Sequence, residues 1–463
     1  MKGQAPHSTD KTTDYFTTAP PSHASLYMPV ADPHALSLRR ASDATAQRLG
    51  RALLGYLVAI TLIITLAPFR FASSPVHGLS DLWDWSDVVM NIIMFIPLGF
   101  VYQLTRPAGL ALRVPVVFLL GAALSAFIEG AQLFAETRFT SHVDIVTNAL
   151  GAALGAWGYT AAAGRIEGAN TVRVMALELP LMGLVYLLVP LVWLAGLASA
   201  DGPRAWLVLP IVAFASGIIG TVHAAYLKPS RHVGRGWLLA AAGAWYVIAL
   251  LPGAIRQWDL VAAGAIIAIG VAWLRSVATQ RFREQHANRR FELPTLRLVL
   301  PLFACYLALS SLWPLNAADG SWQITTALIP FAQPTKTDIF VALEHVAAFT
   351  LVGYIIAEFH GRDVPRYREV AGRVLLWAGG ISMLLEGARG VHPLYRFSIA
   401  MLAFTTVSAL FGGWIYQLQR DHIKALLKRR MAPTDESVDA IFDATCDHEP
   451  TSSDRDAPIL SVL

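Results

Sequence analysis

Six polar residues in a strongly apolar chain fall into three pairs at helical spacing. Asp87 and Asn91 are four apart, as are Asp144 and Asn148, while Glu129 and Gln132 are three apart. On a helix, either interval puts both members of a pair on one face. Arg138 stands alone between the second and third pairs. Three carboxylates against one guanidinium leave excess negative charge. Such a set can recruit a cation, hold a proton, or receive a polyhydroxylated or amine-bearing head group. The plainer alternative is structural: Glu129 or Asp144 pairs with Arg138 while the amides bridge helices, contacts of about 0.6–2 kcal/mol each. A second and more basic set comprises His345, Glu386, Arg389 and Arg396, with His392 beside them. Its chemistry suits a phosphate, again with a structural alternative.

Only helices or closed barrels can carry such residues into lipid, and the composition points to a membrane. Of 463 residues 55% are hydrophobic and only 15% charged, against about 25% charged in soluble domains. Two cysteines, Cys305 and Cys446, are too few for a disulfide framework. The net charge of +4 reads as the cytoplasmic collar of a membrane protein and not as a nucleic-acid footprint.

Apolar runs long enough to cross about 30 Å of hydrocarbon lie near 52–68, 87–104, 114–134, 143–163, 174–199, 205–227, 236–254, 258–275, 297–315, 338–358, 369–388 and 397–417. The expected fold is therefore all-α: a polytopic bundle of about twelve transmembrane helices. Lys and Arg close to the runs number 25 at the two outer flanks and in the even-numbered connections, against 7 in the odd-numbered ones. That bias puts both termini in the cytoplasm. By the same topology, all three polar pairs and Arg138 meet at the outer face.

The first four runs carry a joint pattern. Asp87-Val-Val-Met-Asn91-Ile-Ile-Met-Phe95-Ile-Pro97-Leu98-Gly99 opens the second, and Glu129-Gly-Ala-Gln132 closes the third. Arg138 and then Asp144-Ile-Val-Thr-Asn148-Ala-Leu-Gly151-Ala-Ala-Leu-Gly155 lead into the fourth. With Thr65-Leu-Ala-Pro68, this resembles the VanZ-like family of bacterial membrane proteins over roughly residues 50–160. The later part echoes it. Ser311-Leu-Trp-Pro314 matches Thr65–Pro68, and His345 with Phe349 and Gly353 matches Asn91, Phe95 and Gly99. Glu386-Gly-Ala-Arg389 matches Glu129–Gln132, and Arg396-Phe397 matches Arg138-Phe139. In this alignment Leu402 and Thr406 stand where Asp144 and Asn148 were.

The expected organisation is a disordered cytoplasmic tail at 1–45, a VanZ-like unit at 46–165 and a central four-helix segment at 166–277. A basic cytoplasmic linker at 278–296, a degenerate VanZ-like unit at 297–420 and a tail at 421–463 complete it. Gly151 and Gly155 read as close helix approach, as do Phe95, Pro68 and Pro97 as shape.

The resemblance implies a multi-pass protein of the bacterial inner membrane and cell envelope. Such a protein would bind or reorganise a lipid-linked or glycopeptide-type ligand, with a link to antibiotic tolerance or envelope polysaccharide. Its partners would be membrane lipids and that ligand, with no nucleic acid. Two other classes stay open: a membrane enzyme acting on a lipid-linked substrate, and a secondary transporter. Arg138, His142 and Asp144 resemble the last motif of lipid-phosphate phosphatases, but the Arg-to-His spacing is too short and no lysine-bearing motif precedes it. No nucleotide loop, zinc helix or CxxC pair occurs. No cofactor, metal or catalytic residue is therefore assigned.

Overall fold

The computed structural model describes residues 33–76, 84–106, 113–138, 140–163, 169–199, 202–226, 235–254, 257–285, 292–315, 321–329, 335–362 and 364–431. Among these, twelve α-helices carry the chain. The first four are α1 (Pro33–Leu66), α2 (Trp85–Leu104), α3 (Val114–Gln132) and α4 (His142–Ala163). The middle four are α5 (Ala169–Leu197), α6 (Val208–Tyr226), α7 (Arg235–Ala254) and α8 (Trp258–Gln285). The last four are α9 (Glu292–Leu312), α10 (Lys336–His360), α11 (Tyr367–Gly390) and α12 (Ile399–Met431). Nine stretches among the described residues are long and apolar enough to cross a membrane, and α5 and α7 hold shorter apolar stretches at Gly183–Leu197 and Leu238–Gly253. Helices are the expected solution, because only they satisfy backbone polar groups within one segment in lipid.

Three boundaries differ from the sequence expectation. Residues 33–45, expected as disordered tail, form the first turns of α1. Their partner is distant in sequence: Ser42 is buried, and Thr45 Oγ1 lies 3.2 Å from His422 Nδ1 of α12. For the same reason α12 continues to Met431 and takes in the start of the expected C-terminal tail. The linker expected at 278–296 is helical up to Gln285 and again from Glu292. The remaining tail residues, 1–32 and 432–463, lie outside the described residues. A two-residue parallel pairing, Ile324–Thr325 (β1) with Phe397–Ser398 (β2), has no counterpart in the sequence reading.

Packing is organised in three groups. α4 lies against both α2 and α3, and α12 lies against both α10 and α11. Between them, α5 touches α6 and α7, and also reaches α10 and α12. The α2–α4 contact is a backbone approach. A Cβ at Gly99 would collide with the Ala152 carbonyl, and one at Gly151 with the Ile92 carbonyl. In the last group, a Cβ at Gly353 would meet the Ala409 carbonyl in the same way. Small residues at such crossings let dispersion act between whole backbones.

Gly151→Leu should therefore wedge α2 from α4 and destabilise the protein by at least about 2 kcal/mol, the upper part of the overpacking range. Gly158→Ala, where nothing lies within 4 Å of an added Cβ, should be near neutral. Melting curves of the two variants in detergent decide it, and equal Tm values would contradict the contact.

Candidate functional site

Local sequence places the polar residues at helix ends. Asp84 caps α2 by accepting the Ser86 N–H, which puts Asp87 in the first turn and Asn91 one turn further in. α3 ends at Gln132 and α4 opens at His142. Glu129 and Gln132 therefore sit in a last turn, and Asp144 in a first turn. The α2–α4 backbone approach then brings the Asn91 side chain to Asp144 as a hydrogen-bond partner.

All seven sequence-predicted residues of the first unit line one cavity of about 460 Å³: Asp87, Asn91, Glu129, Gln132, Arg138, Asp144 and Asn148. That volume lies within the usual range of small-molecule sites. Their surroundings divide them. Glu129, only 4% exposed, accepts the Ser141 N–H at 2.8 Å through Oε2. Gln132 Nε2 donates to the Thr65 carbonyl at 3.0 Å, and Arg138 Nη2 donates to the Ile64 carbonyl at 2.7 Å. These three tie the end of α1 and the start of α4 to α3. Asp87 and Asn91 line the cavity from α2, and Asp144 and Asn148 line it from α4.

The orientation of Asn148 follows from its network. Ser125 Oγ donates to the Asp144 carbonyl at 3.3 Å, so Ser125 must accept from Asn148 Nδ2, 2.8 Å away. Asn148 Oδ1 is left buried with no hydrogen-bond partner, on a side chain only 3% exposed. A buried acceptor left empty costs about 1–3 kcal/mol. Burial lowers the Arg138 pKa from its ordinary value, while Asp87 and Glu129 nearby act to raise it. The Arg138 Nε has no hydrogen-bond partner among the described residues. Among those residues, no three of His, Cys, Asp and Glu are grouped so as to hold a metal ion. Asp144 nevertheless lies close enough to Asp87 and to Glu129 to act on each as a like charge.

Sequence reasoning missed the opposite wall. Trp193 and Leu197 of α5, Pro252 of α7, and Lys336 and Phe340 of α10 complete the cavity. Lys336 had counted only towards topology. The others are apolar and carry no chemical signal in sequence.

The second set behaves differently. His345 Nε2 lies 3.1 Å from Ser311 Oγ. Arg389 Nη1 donates to Glu386 Oε1 at 2.9 Å, and Glu386 Oε2 accepts the Ser398 N–H at 3.0 Å. Arg396 is exposed. The carboxylate-to-amide contact spans twelve residues in both places, Glu129 to Ser141 and Glu386 to Ser398. Counted from those contacts, Met401 and Thr405 lie as far along the chain from Glu386 as Asp144 and Asn148 do from Glu129. Tyr395, whose hydroxyl donates to the Trp313 carbonyl at 2.5 Å, lies as far from Glu386 as Arg138 does from Glu129.

A further buried cluster went unread. Arg204 Nη2 is 2.7 Å from Glu344 Oε2, and Tyr306 donates to Glu344 Oε1 at 2.5 Å. An ionisable residue inside an apolar run was the available signal for Glu344.

An all-α bundle with this many apolar helices is a multi-pass membrane protein. Residues 38–163 match the family model VanZ/LLP1, so α1–α4 form a VanZ-like region, in agreement with the resemblance carried by the motifs. No curated protein and no solved structure matches the chain.

Glu129→Ala should cost about 1–3 kcal/mol, because it strands a buried N–H at Ser141, and Glu386→Ala should cost about 3–5 kcal/mol, because it leaves buried Arg389 unmatched as well as the Ser398 N–H. Asp144→Asn should cost less than about 1 kcal/mol, within the usual range for one interhelical polar contact. Thermal unfolding of the purified variants tests the division, which fails if Asp144→Asn is the most damaging of the three.

Proposed function

We propose that this protein is a non-enzymatic component of the bacterial cell envelope that binds or reorganises an amphipathic ligand, lipid-linked or glycopeptide-like, at the α1–α4 cavity. One observation carries the reading. The cavity is lined both by polar side chains, Asp87, Asn91, Asp144 and Asn148 among them, and by apolar ones, Trp193, Leu197 and Phe340 among them. Amphiphiles have that division, with a head group rich in N–H or O–H donors and a hydrocarbon or aromatic part. In this reading the cavity opens towards the outside of the inner membrane, with both termini in the cytoplasm, as the bias of basic residues requires. Residues 297–420 are a degenerate copy of the VanZ-like unit, with its polar positions given over to internal contacts. The likeness to the VanZ/LLP1 family supports a role in antibiotic tolerance or envelope polysaccharide.

Two measurements test it. Asp144→Asn should abolish an envelope or drug-tolerance phenotype while membrane abundance stays near wild type. Abundance and thermal stability falling together with the phenotype would make the polar set structural. For orientation, a cysteine at Ser80 should react with an impermeant maleimide in intact cells, and one at Arg283 only after permeabilisation. Reversed labelling would overturn the topology.

A further inference from the structure

The two longest helices among the described residues, α1 and α12, meet at their polar ends. The rings of Tyr56 and Phe411 lie 5.7 Å apart at their centroids. Eleven residues earlier on α1 and eleven later on α12, Thr45 Oγ1 lies 3.2 Å from His422 Nδ1. The matched spacing makes the pair antiparallel and sets the start of α1 beside the end of α12. Arg40, Ala44 and Arg48 recur every fourth residue, and Arg51 follows at three, so they share one face of α1. All four are exposed, as is Lys428 on α12, while Ser42 and Leu49 are buried. In sequence, residues 33–51 and 420–431 together hold nine Lys and Arg against two carboxylates, Asp43 and Asp421, a net +7 with His neutral. Asp421 is engaged by Arg420 at 3.1 Å. The chain then changes sign. Residues 432–463 carry eight carboxylates, from Asp435 to Asp456, against Arg455 alone, a net −7.

We propose that the acidic segment 432–463 docks on the basic face formed by the start of α1 and the end of α12, as an intramolecular cover. The segment leaves from the end of α12 itself, and its thirty-two residues reach up to about 100 Å when extended, so length sets no limit. A tethered partner acts at an effective concentration of millimolar order, which lets individually weak exposed ion pairs add up as a network. The competing occupant is an anionic membrane surface, and the geometry favours the segment. The 34 residues of α1 extend about 50 Å, some 20 Å more than the hydrocarbon of a bilayer. Arg40 lies about 16 Å along the axis from Arg51, which adjoins the apolar run. That is about twice the screening length at physiological ionic strength. The outermost cations therefore stand away from the lipid and next to the point where the acidic segment begins.

The test uses the full chain in nanodiscs of phosphatidylcholine. Cys446 provides one spin-label site in the acidic segment, and Ala44→Cys provides the other on the basic face, in a Cys305→Ser background. Distance measurement by electron resonance should show a defined short-distance population at about 0.1 M salt. That population should be lost at about 1 M, where the screening length falls from about 10 to about 3 Å. Changing the eight carboxylates of the segment to amides should abolish it at both salt concentrations. Arg40→Glu with Arg48→Glu should do the same, and Arg40→Lys with Arg48→Lys should keep it, at unchanged Tm. A distribution that responds neither to salt nor to the amide changes overturns the proposal. A second overturning result comes from nanodiscs containing phosphatidylglycerol: loss of the short population there, with the Ala44→Cys label newly shielded from an aqueous paramagnetic quencher, makes the membrane the occupant. Retention of the population in those discs supports the intramolecular cover.

Discussion

The backbone approach of α2 and α4 is the constraint on which the site depends. Gly99 lies against the Ala152 carbonyl and Gly151 against the Ile92 carbonyl. No larger residue fits at either crossing. Because Asn91 is next to Ile92, and Asp144 and Asn148 lie two turns and one turn before the α4 crossing, closing this contact delivers all three to one cavity. A pair of helices held apart by ordinary side chains would keep axes about 8–10 Å apart. Dispersion between backbones, possible only where side chains are missing, thus fixes the geometry of groups that are themselves polar.

Those groups are then unequal in what they do. An ionised or strongly polar side chain is costly within a membrane unless it is paired or faces a cavity. Glu129 meets that condition by capping the start of α4 through Ser141. Gln132 and Arg138 meet it by donating to carbonyls at the end of α1, where the last turn of a helix has no internal partners. These three residues stitch three helix ends together. The pairs on α2 and α4 face inward to the space the stitching encloses.

Much of this was legible in sequence, for identifiable reasons. Helix spacing put Asp87 with Asn91, and Asp144 with Asn148, on single faces, and those faces do line one cavity. The polar motif and its glycines pointed to the region that matches the family model. What could not be read was partnership over long separations. Nothing near Lys336 in sequence says that it reaches a cavity built from residues 64–148. Nothing near Arg204 says that it meets Glu344, 140 positions away. The extra turns of α1 were hidden for the same reason, since Thr45 finds its partner at His422.

The two polar clusters also show why similar motifs need not keep similar roles. In the first group Asn148 leaves an acceptor open. In the last group, Thr405 and Ser382 bond to each other at 2.6 Å. Arg389 is paired with Glu386 within its own helix, and Arg204 enters from the central segment to neutralise Glu344. Removing one member of such a buried pair costs about 3–5 kcal/mol, because the other is left charged and unmatched. The second cluster is therefore held rigid by its own charges, and it anchors α10 two turns inward from Lys336. Lys336 therefore lines the cavity from a helix that a buried ion pair holds in place.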